Sequence, residues 1–417
     1  MSKKISKKKI HPIAIFAITL ITVLSIGCGV LLFLYSTQEK EAVHLVEQEV
    51  TTSQENQETT ATTLVDTMMS EAEQAASQIP EEELDESEEE KELVAEVEPL
   101  RDVTLAFVGD ILLDDNYSMM VTLKNRDGGI YGCISEDLMK EMQAADIFML
   151  NNEFTFTDRG EPLAEKKFTF RAKPENVSIL NEMGVDIVSL ANNHAYDYGE
   201  ISLLDTLDTL ENAGILYAGA GRNIEEAAAP VYYEIGGMKI GFVAATQIER
   251  LDNPDTKEAT ETTPGVFRCW NPEKMLEVVE QTKQNCDFVV VYIHWGAENT
   301  VELDWAQRDQ AVQLAEAGAD LIIGDHPHCL QPIDYVGDVP VIYSLGNFWF
   351  NSKTVDTCLV KVVVNAEGLQ TLQFVPALQS GCSTKMLYGA EKERVLTYMR
   401  TISTNINIDE EGYIASK

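Results

Sequence analysis

The sequence predicts an α/β fold in which two sheets pack between helices, and three observations lead there. From residue 103 onward, short β-branched apolar runs alternate with amphipathic helical patterns. One run, 287–293, is almost wholly apolar, as strands covered on both faces are. Further on, apolar runs at 341–345, 358–364 and 372–375 follow one another with no helical pattern between them, so a second, partly antiparallel sheet is expected.

The elements follow in order. Residues 103–108 form a strand bounded by Gly109-Asp110, and 146–150 form another. A helix over 174–183 is closed by Gly184 and leads into a strand at 185–190. Residues 201–212 read as a helix, with Leu203, Leu204, Leu207 and Leu210 on one face and Gly214 as its stop. Gly236-Gly237 joins 231–235 to 239–244 as a hairpin. A strand at 287–293, a helix at 305–317 and a strand at 321–323 precede the C-terminal strands. No composition break divides residues 101–417, and no internal repeat is visible, so they are read as one domain.

The N-terminus has a different character. Lys3, Lys4, Lys7, Lys8 and Lys9 precede an uncharged apolar stretch, 13–35, that spans about 35 Å as a helix, enough to cross a bilayer. The positive-inside rule then makes residues 1–12 a cytoplasmic tail and 13–35 a single transmembrane anchor, with the rest of the chain extracellular at the cell membrane. A cleaved signal peptide fits less well, because the apolar stretch is long and lacks a small-residue cleavage site. Leu24-Ser25-Ile26-Gly27-Cys28 is a poor lipidation motif, since the apolar run continues beyond it. Residues 36–100 hold 20 Asp and Glu against two Lys and cannot bury a core, so they are read as a disordered acidic linker.

Charge narrows the partners. The chain carries −38, and residues 101–417 hold 24 Lys and Arg against 49 Asp and Glu, which leaves no basic stripe for phosphates and excludes nucleic acid. The six cysteines beyond residue 100 show no C-x-x-C pairing, so zinc-finger chemistry is not indicated and they are read as small buried residues.

The chemistry concentrates at strand ends. Four of the six histidines, His194, His294, His326 and His328, sit in three clusters that each follow an apolar run. Upstream, Asp110 and Glu153 close two similar runs. Carboxylate, amide and imidazole delivered to one edge of a sheet form a divalent-metal set. Glu153 is the expected bridge between two cations and Asp110 a terminal ligand; Asn193 would offer its amide oxygen, and His294, His326 and His328 their ring nitrogens. Mixed N/O ligation suits one or two Mn, Fe or Zn ions and disfavours calcium. Pro327 stiffens the segment that carries His326 and His328.

Gly109-Asp110, Asn152-Glu153, Ala191-Asn192-Asn193-His194, His294-Trp295-Gly296-Ala297-Glu298, Gly324-Asp325-His326-Pro327-His328 and Ser344-Leu345-Gly346-Asn347-Phe348 together resemble the signature set of the CapA family, membrane-anchored proteins of bacterial poly-γ-glutamate capsule biosynthesis. The resemblance covers about 103–350. It implies a four-layer α/β/β/α metallophosphatase-like sandwich, a function in capsule synthesis or export, and poly-γ-glutamate synthase membrane subunits as partners. It also implies a hydrolase-like site, in which His194, beside Asn193 and free of metal, protonates a leaving group. Glu298 would orient a ligand or water, and Arg171 would grip an anionic substrate group. Trp295 and Phe348 either wall a pocket or belong to the core, and Asn347 is either a turn or a site residue. One departure stands out. The metallophosphoesterase run Asp-x-His is here Asp110-Ile111-Leu112, and Leu112 cannot ligate, so one cation site is expected to be weaker. Two other functions fit the residues: a phosphoesterase of a small substrate unrelated to capsule, and a non-catalytic scaffold.

Overall fold

The structure, a computed structural model, describes residues 100–164, 166–248 and 256–417. The expected basic tail and apolar span, and all but the last residue of the acidic linker, lie outside the described residues. No helix among the described residues is long and apolar enough to cross a membrane.

Two sheets organise the domain. The larger has the order Ser383–Met386, Gly368–Ser380, Val355–Asn365, Val103–Ile111, Ile147–Asn152, Ile187–Ser189, Leu216–Ala218, with Asn347–Trp349 also pairing Val103–Ile111. From Val103–Ile111 to Leu216–Ala218 its strands run parallel, whereas the hairpins on the other side are antiparallel. The smaller sheet has the order Ile333–Val336, Val339–Ile342, Leu321–Asp325, Phe288–His294, Met238–Thr246, Val231–Ile235, with four parallel inner strands and an antiparallel strand at each edge.

The two-residue period of a strand explains how the layers stack. Leu105 and Phe107 enter the same core as Val290 and Tyr292 of the smaller sheet, so the sheets face each other. The alternate residues Ala106 and Val108 point outward, against Met119, Leu138, Leu180 and Leu207 from four helices. On the far side Val289, Val291 and Ile293 pack against Met275, Val279 and Leu314 of the helices Glu273–Asn285 and Trp305–Glu316. Helix, sheet, sheet and helix thus succeed one another. The apolar run of the strand Phe288–His294 follows from this, because both of its faces meet a core.

The C-terminal region departs from the sequence reading. The strand expected at 372–375 is Gly368–Ser380, its alternation obscured by Gln370, Thr371 and Gln373. The chain then forms a helix, Gly389–Ile402, whose Val395, Leu396 and Met399 close the core between the sheets. The expected helix at 174–183 is a 3-10 turn, Pro174–Asn176, running into Val177–Met183. All six cysteines of the domain are unbridged, four of them buried.

Candidate metal centre

Parallel strands present their C-terminal ends on one edge, and that edge gathers the chemistry. Asp110 lies near the end of Val103–Ile111, and Glu153 follows Ile147–Asn152. Asn193 and His194 lie beyond Ile187–Ser189. His294 ends Phe288–His294, and His326 and His328 follow Leu321–Asp325. Asp110 sits at an irregularity in the pairing with both flanking strands, a bulge that re-aims its side chain. Gly109 allows the approach. A Cβ there would lie 1.9 Å from the Gly346 carbonyl oxygen, the acceptor for the Asp110 N–H at 3.2 Å.

The six residues expected to hold metal converge. His294 Nε2 lies 2.8 Å from Asn193 Oδ1, 3.0 Å from His326 Nδ1 and 3.8 Å from Glu153 Oε1. His328 Nδ1 lies 2.9 Å from both Asp110 Oδ2 and Asn347 Oδ1. Glu153 belongs to two sets whose ligand atoms all lie within 4.8 Å of one another, one with His294 and His326 and the other with Asp110 and His328. Neither of its oxygens has a hydrogen-bond donor, although the residue is fully buried.

Two features leave this set short of hydrogen-bond donors, as a cation site should be. An unpaired buried carboxylate is costly unless something positive neutralises it. Second, His294 Nδ1 lies 2.7 Å from Asp325 Oδ1; a proton on that nitrogen turns the bare Nε2 toward the oxygen of Asn193, lone pair to lone pair. Burial pushes His294 down to about 3, which keeps it neutral. Burial and the neighbouring imidazoles hold His326 well below the ordinary range as well. Burial, reinforced by the charges of Asp110 and Asp325, pushes Glu153 well above the ordinary carboxylate range. Burial would raise Asp110 too, but the hydrogen bond and charge of His328 outweigh it and hold it low. Burial opposes protonation of His328, yet the same contact with Asp110 raises it.

His194 is positioned differently. Its Nδ1 lies 2.6 Å from Asp197 Oδ2, and its Nε2 faces the centre, 4.0 Å from Glu153 Oε1. Asp197 also accepts from Lys166 Nζ at 2.6 Å and from the Phe170 N–H at 2.6 Å, and Lys166 reaches on to the Asn193 carbonyl. Burial lowers the His194 pKa.

Sequence reasoning missed the amides and acids behind this set. Asn151 Nδ2 donates to Asp110 Oδ1 at 2.8 Å, Asn192 Nδ2 to Asn151 Oδ1 at 2.9 Å, and the His194 N–H to Asn192 Oδ1 at 2.9 Å, a buried relay across three strand ends. Asp197, Asp325 and Lys166 were also unassigned. The available signal was that Asp197 and Asp325 lie within three residues of His194 and His326; Lys166 carried none. Asn347 is a site residue by its contact with His328. Trp295 and Phe348 are core.

A cavity of about 290 Å³ opens onto His194 and His328. Glu298 lines it as an exposed side chain. Arg171 does not: its guanidinium lies 4.4 Å from the centre of the Tyr198 ring, and its backbone N–H donates to Asp114 Oδ2 at 2.9 Å. Leu112, 1% exposed, also lines the cavity.

The model of the family described as "Bacterial capsule synthesis protein PGA_cap" matches residues 104–352, which include every residue of this centre. The chain belongs to that family. Among relatives, "PGA biosynthesis protein CapA" of Bacillus subtilis (strain 168) is 29% identical over 279 residues, covering 66% of this chain and 71% of its own. "Capsule biosynthesis protein CapA" of Bacillus anthracis is 31% identical over 304 residues, covering 70% and 72%. A "Probable polyglutamine synthesis accessory protein" of Mycobacterium tuberculosis (strain ATCC 25618 / H37Rv) is 29% identical over 213 residues, covering 50% and 56%. The family match ends within the strand-rich half, so the helix Gly389–Ile402 lies beyond it.

Proposed function

We propose that this chain is a membrane-anchored, extracytoplasmic protein of poly-γ-glutamate capsule synthesis or export that works through a metal-dependent, hydrolase-like centre on a metallophosphatase-like fold. The observation that carries the reading is Glu153: a buried carboxylate without a donor, shared by two sets of ligand atoms. Family membership supplies the capsule context. The name of the mycobacterial relative supports an accessory place beside synthase membrane subunits. The five N-terminal lysines and the apolar stretch 13–35 support the anchor and the outward-facing domain.

His294, His326 and Asn193 would hold one divalent cation and Asp110, His328 and Asn347 a second, with Glu153 between them. Mn, Fe or Zn suits these ligands. Such a pair supplies Lewis acidity and a nucleophile at neutral pH. The chain's own residues do the rest. Asp325 fixes the tautomer that turns His294 Nε2 inward. Asp197 does the same for His194, whose Nε2 would take up a proton released in the reaction and pass it to the departing group, Asp197 holding the imidazolium formed in between. Glu298, at the cavity wall, would orient water there. Arg171, stacked on the Tyr198 ring and with no carboxylate partner within 4 Å among the described residues, would grip an anionic substrate group.

Elemental analysis of the full-length protein in detergent tests the centre, with Glu153→Gln and His326→Ala alongside. The wild type should retain one or two equivalents of metal and each variant should lose at least one. Wild-type protein that retains none after loading would sink the reading. Capsule output from a deletion strain complemented with His194→Ala separates a catalytic role from a scaffold, because a scaffold would restore capsule in full. Leu112 gives the scaffold reading its one specific support, since a side chain that cannot ligate shares the cavity wall with His328.

A further inference from the structure

Tyr292 places a hydroxyl in a layer that packing alone would fill with phenylalanine. The residue is fully buried in the apolar core between the two sheets, with Leu105, Phe107, Phe242 and Leu345. A buried hydroxyl costs stability unless it finds a partner. This one does: Tyr292 Oη donates to the Val108 carbonyl of the opposite sheet at 3.2 Å.

Val108 is a place where such a donor matters. The pairing of Val103–Ile111 with Val355–Asn365 ends at Phe107, and that with Asn347–Trp349 begins at Asp110. Its pairing with Ile147–Asn152 slips by one residue between Phe107 and Asp110. The irregularity that aims Asp110 at His328 therefore takes Val108 out of the regular ladder on both sides. The opposite sheet makes good the loss. Tyr292 stands two residues before His294 on the same strand, so the strand bearing one ligand pins the strand end bearing another.

The same hydroxyl lies within hydrogen-bonding reach of Asp325. Asp325 Oδ1 faces His294 Nδ1 at 2.7 Å, and its Oδ2 is left without a donor while the hydroxyl serves Val108. One oxygen atom thus stands between the groups that orient the two sets, Asp110 with His328 and His294 with His326. We infer that Tyr292 is a positioning residue of the metal centre, its hydroxyl holding the Asp110 strand end and the Asp325–His294 pair in one register so that two cations can share Glu153. It acts through Val108 and Asp325 and touches neither cation nor substrate.

This inference rests on the metal-centre reading above, so the metal content of the wild type is measured first. A second tyrosine provides the control. Tyr233 Oη also joins the sheets, donating to the Asp186 carbonyl at 3.1 Å, but Asp186 precedes Ile187–Ser189 and lies at the edge away from the ligands. Full-length protein in detergent, Tyr292→Phe and Tyr233→Phe are stripped with chelator and titrated with manganese by calorimetry. Phenylalanine keeps the ring, so both variants should fold. Tyr292→Phe should weaken the last-bound manganese about 10- to 100-fold, the scale of a lost partner behind a ligand. It should also change the manganese EPR spectrum, which reads ligand geometry. Tyr233→Phe should lower the unfolding temperature and leave both affinity and spectrum as in the wild type. Wild-type affinity and spectrum in Tyr292→Phe, or an equal loss of affinity in Tyr233→Phe, would overturn the inference and leave the metal centre standing. A wild type that binds no manganese overturns both.

Discussion

Nδ1 of His194 lies 2.6 Å from Oδ2 of Asp197, three residues further along the same loop, and Lys166 closes on the other oxygen of that carboxylate. The carboxylate is fully buried, and Lys166 is 9% exposed. Asp197→Asn should therefore reduce turnover by about 10²- to 10⁴-fold, because His194 loses the partner that fixes its tautomer. The loss should fall on kcat rather than KM. The fold should weaken as well, by roughly 3 kcal/mol, because Lys166 is left buried without its charge partner. Steady-state kinetics on a chromogenic hydrolase substrate, with thermal unfolding alongside, distinguishes the two effects; unchanged kcat in the folded fraction would count against a positioning role.

Glu153 predicts an inverted relation between stability and function. Its carboxyl is held above the ordinary range by burial and by Asp110 and Asp325, so the metal-free native state binds a proton that the unfolded chain releases. Stability from this group is full below the ordinary carboxylate value and is lost as pH rises toward the raised one. Without metal, Glu153→Gln should then be more stable than wild type, by roughly 1–3 kcal/mol at neutral pH. The gap should narrow toward pH 4.5. With metal added the order should reverse. Unfolding curves in chelator across pH provide the check, and a variant less stable at every pH would contradict the account.

His326 sits at φ +92° and His328 at φ +57°, in the region that favours glycine. His326 also precedes a proline, where extended backbone is the norm. His326→Gly should therefore be more stable than His326→Ala by about 1 kcal/mol, the reverse of the usual order. Both should lose metal equally. Denaturant titration of the two metal-free variants tests this, and an alanine variant as stable as the glycine one would show that the loop relaxes.

Gly109→Ala changes no ligand, yet it should disable the centre. The added methyl would fall 1.9 Å from the Gly346 oxygen, so the two strands must part where Asp110 and Asn347 face His328. Metal affinity should drop at least tenfold, and the fold should lose about 1–3 kcal/mol, as overpacked sites do. Metal titration by calorimetry would expose the error if affinity were unchanged.

Parts of the site were legible in the chain and parts were not. Asp110, Glu153, Asn193, His294, His326 and His328 could be read because each closes an apolar run. In parallel sheets such runs end on one edge. Asp197, Asp325 and the Asn151–Asn192 relay carried no comparable signal. Asp197 lies in an ordinary turn sequence, and an asparagine at a strand end is more often a turn residue than a link in a buried network. The long strand Gly368–Ser380 escaped for a related reason, since its exposed face is glutamine and threonine and its partner is found only by pairing.

The sequence by itself determined the principal strands of both sheets and that imidazoles and carboxylates stand at their ends, because period and turn chemistry are local properties of the chain. Only the tertiary structure decided that His294 meets Asn193 across 101 positions and Asp110 meets His328 across 218. Those meetings depend on how two sheets stack and where one glycine lets strands approach, and packing between elements distant in sequence leaves no periodic trace in either one.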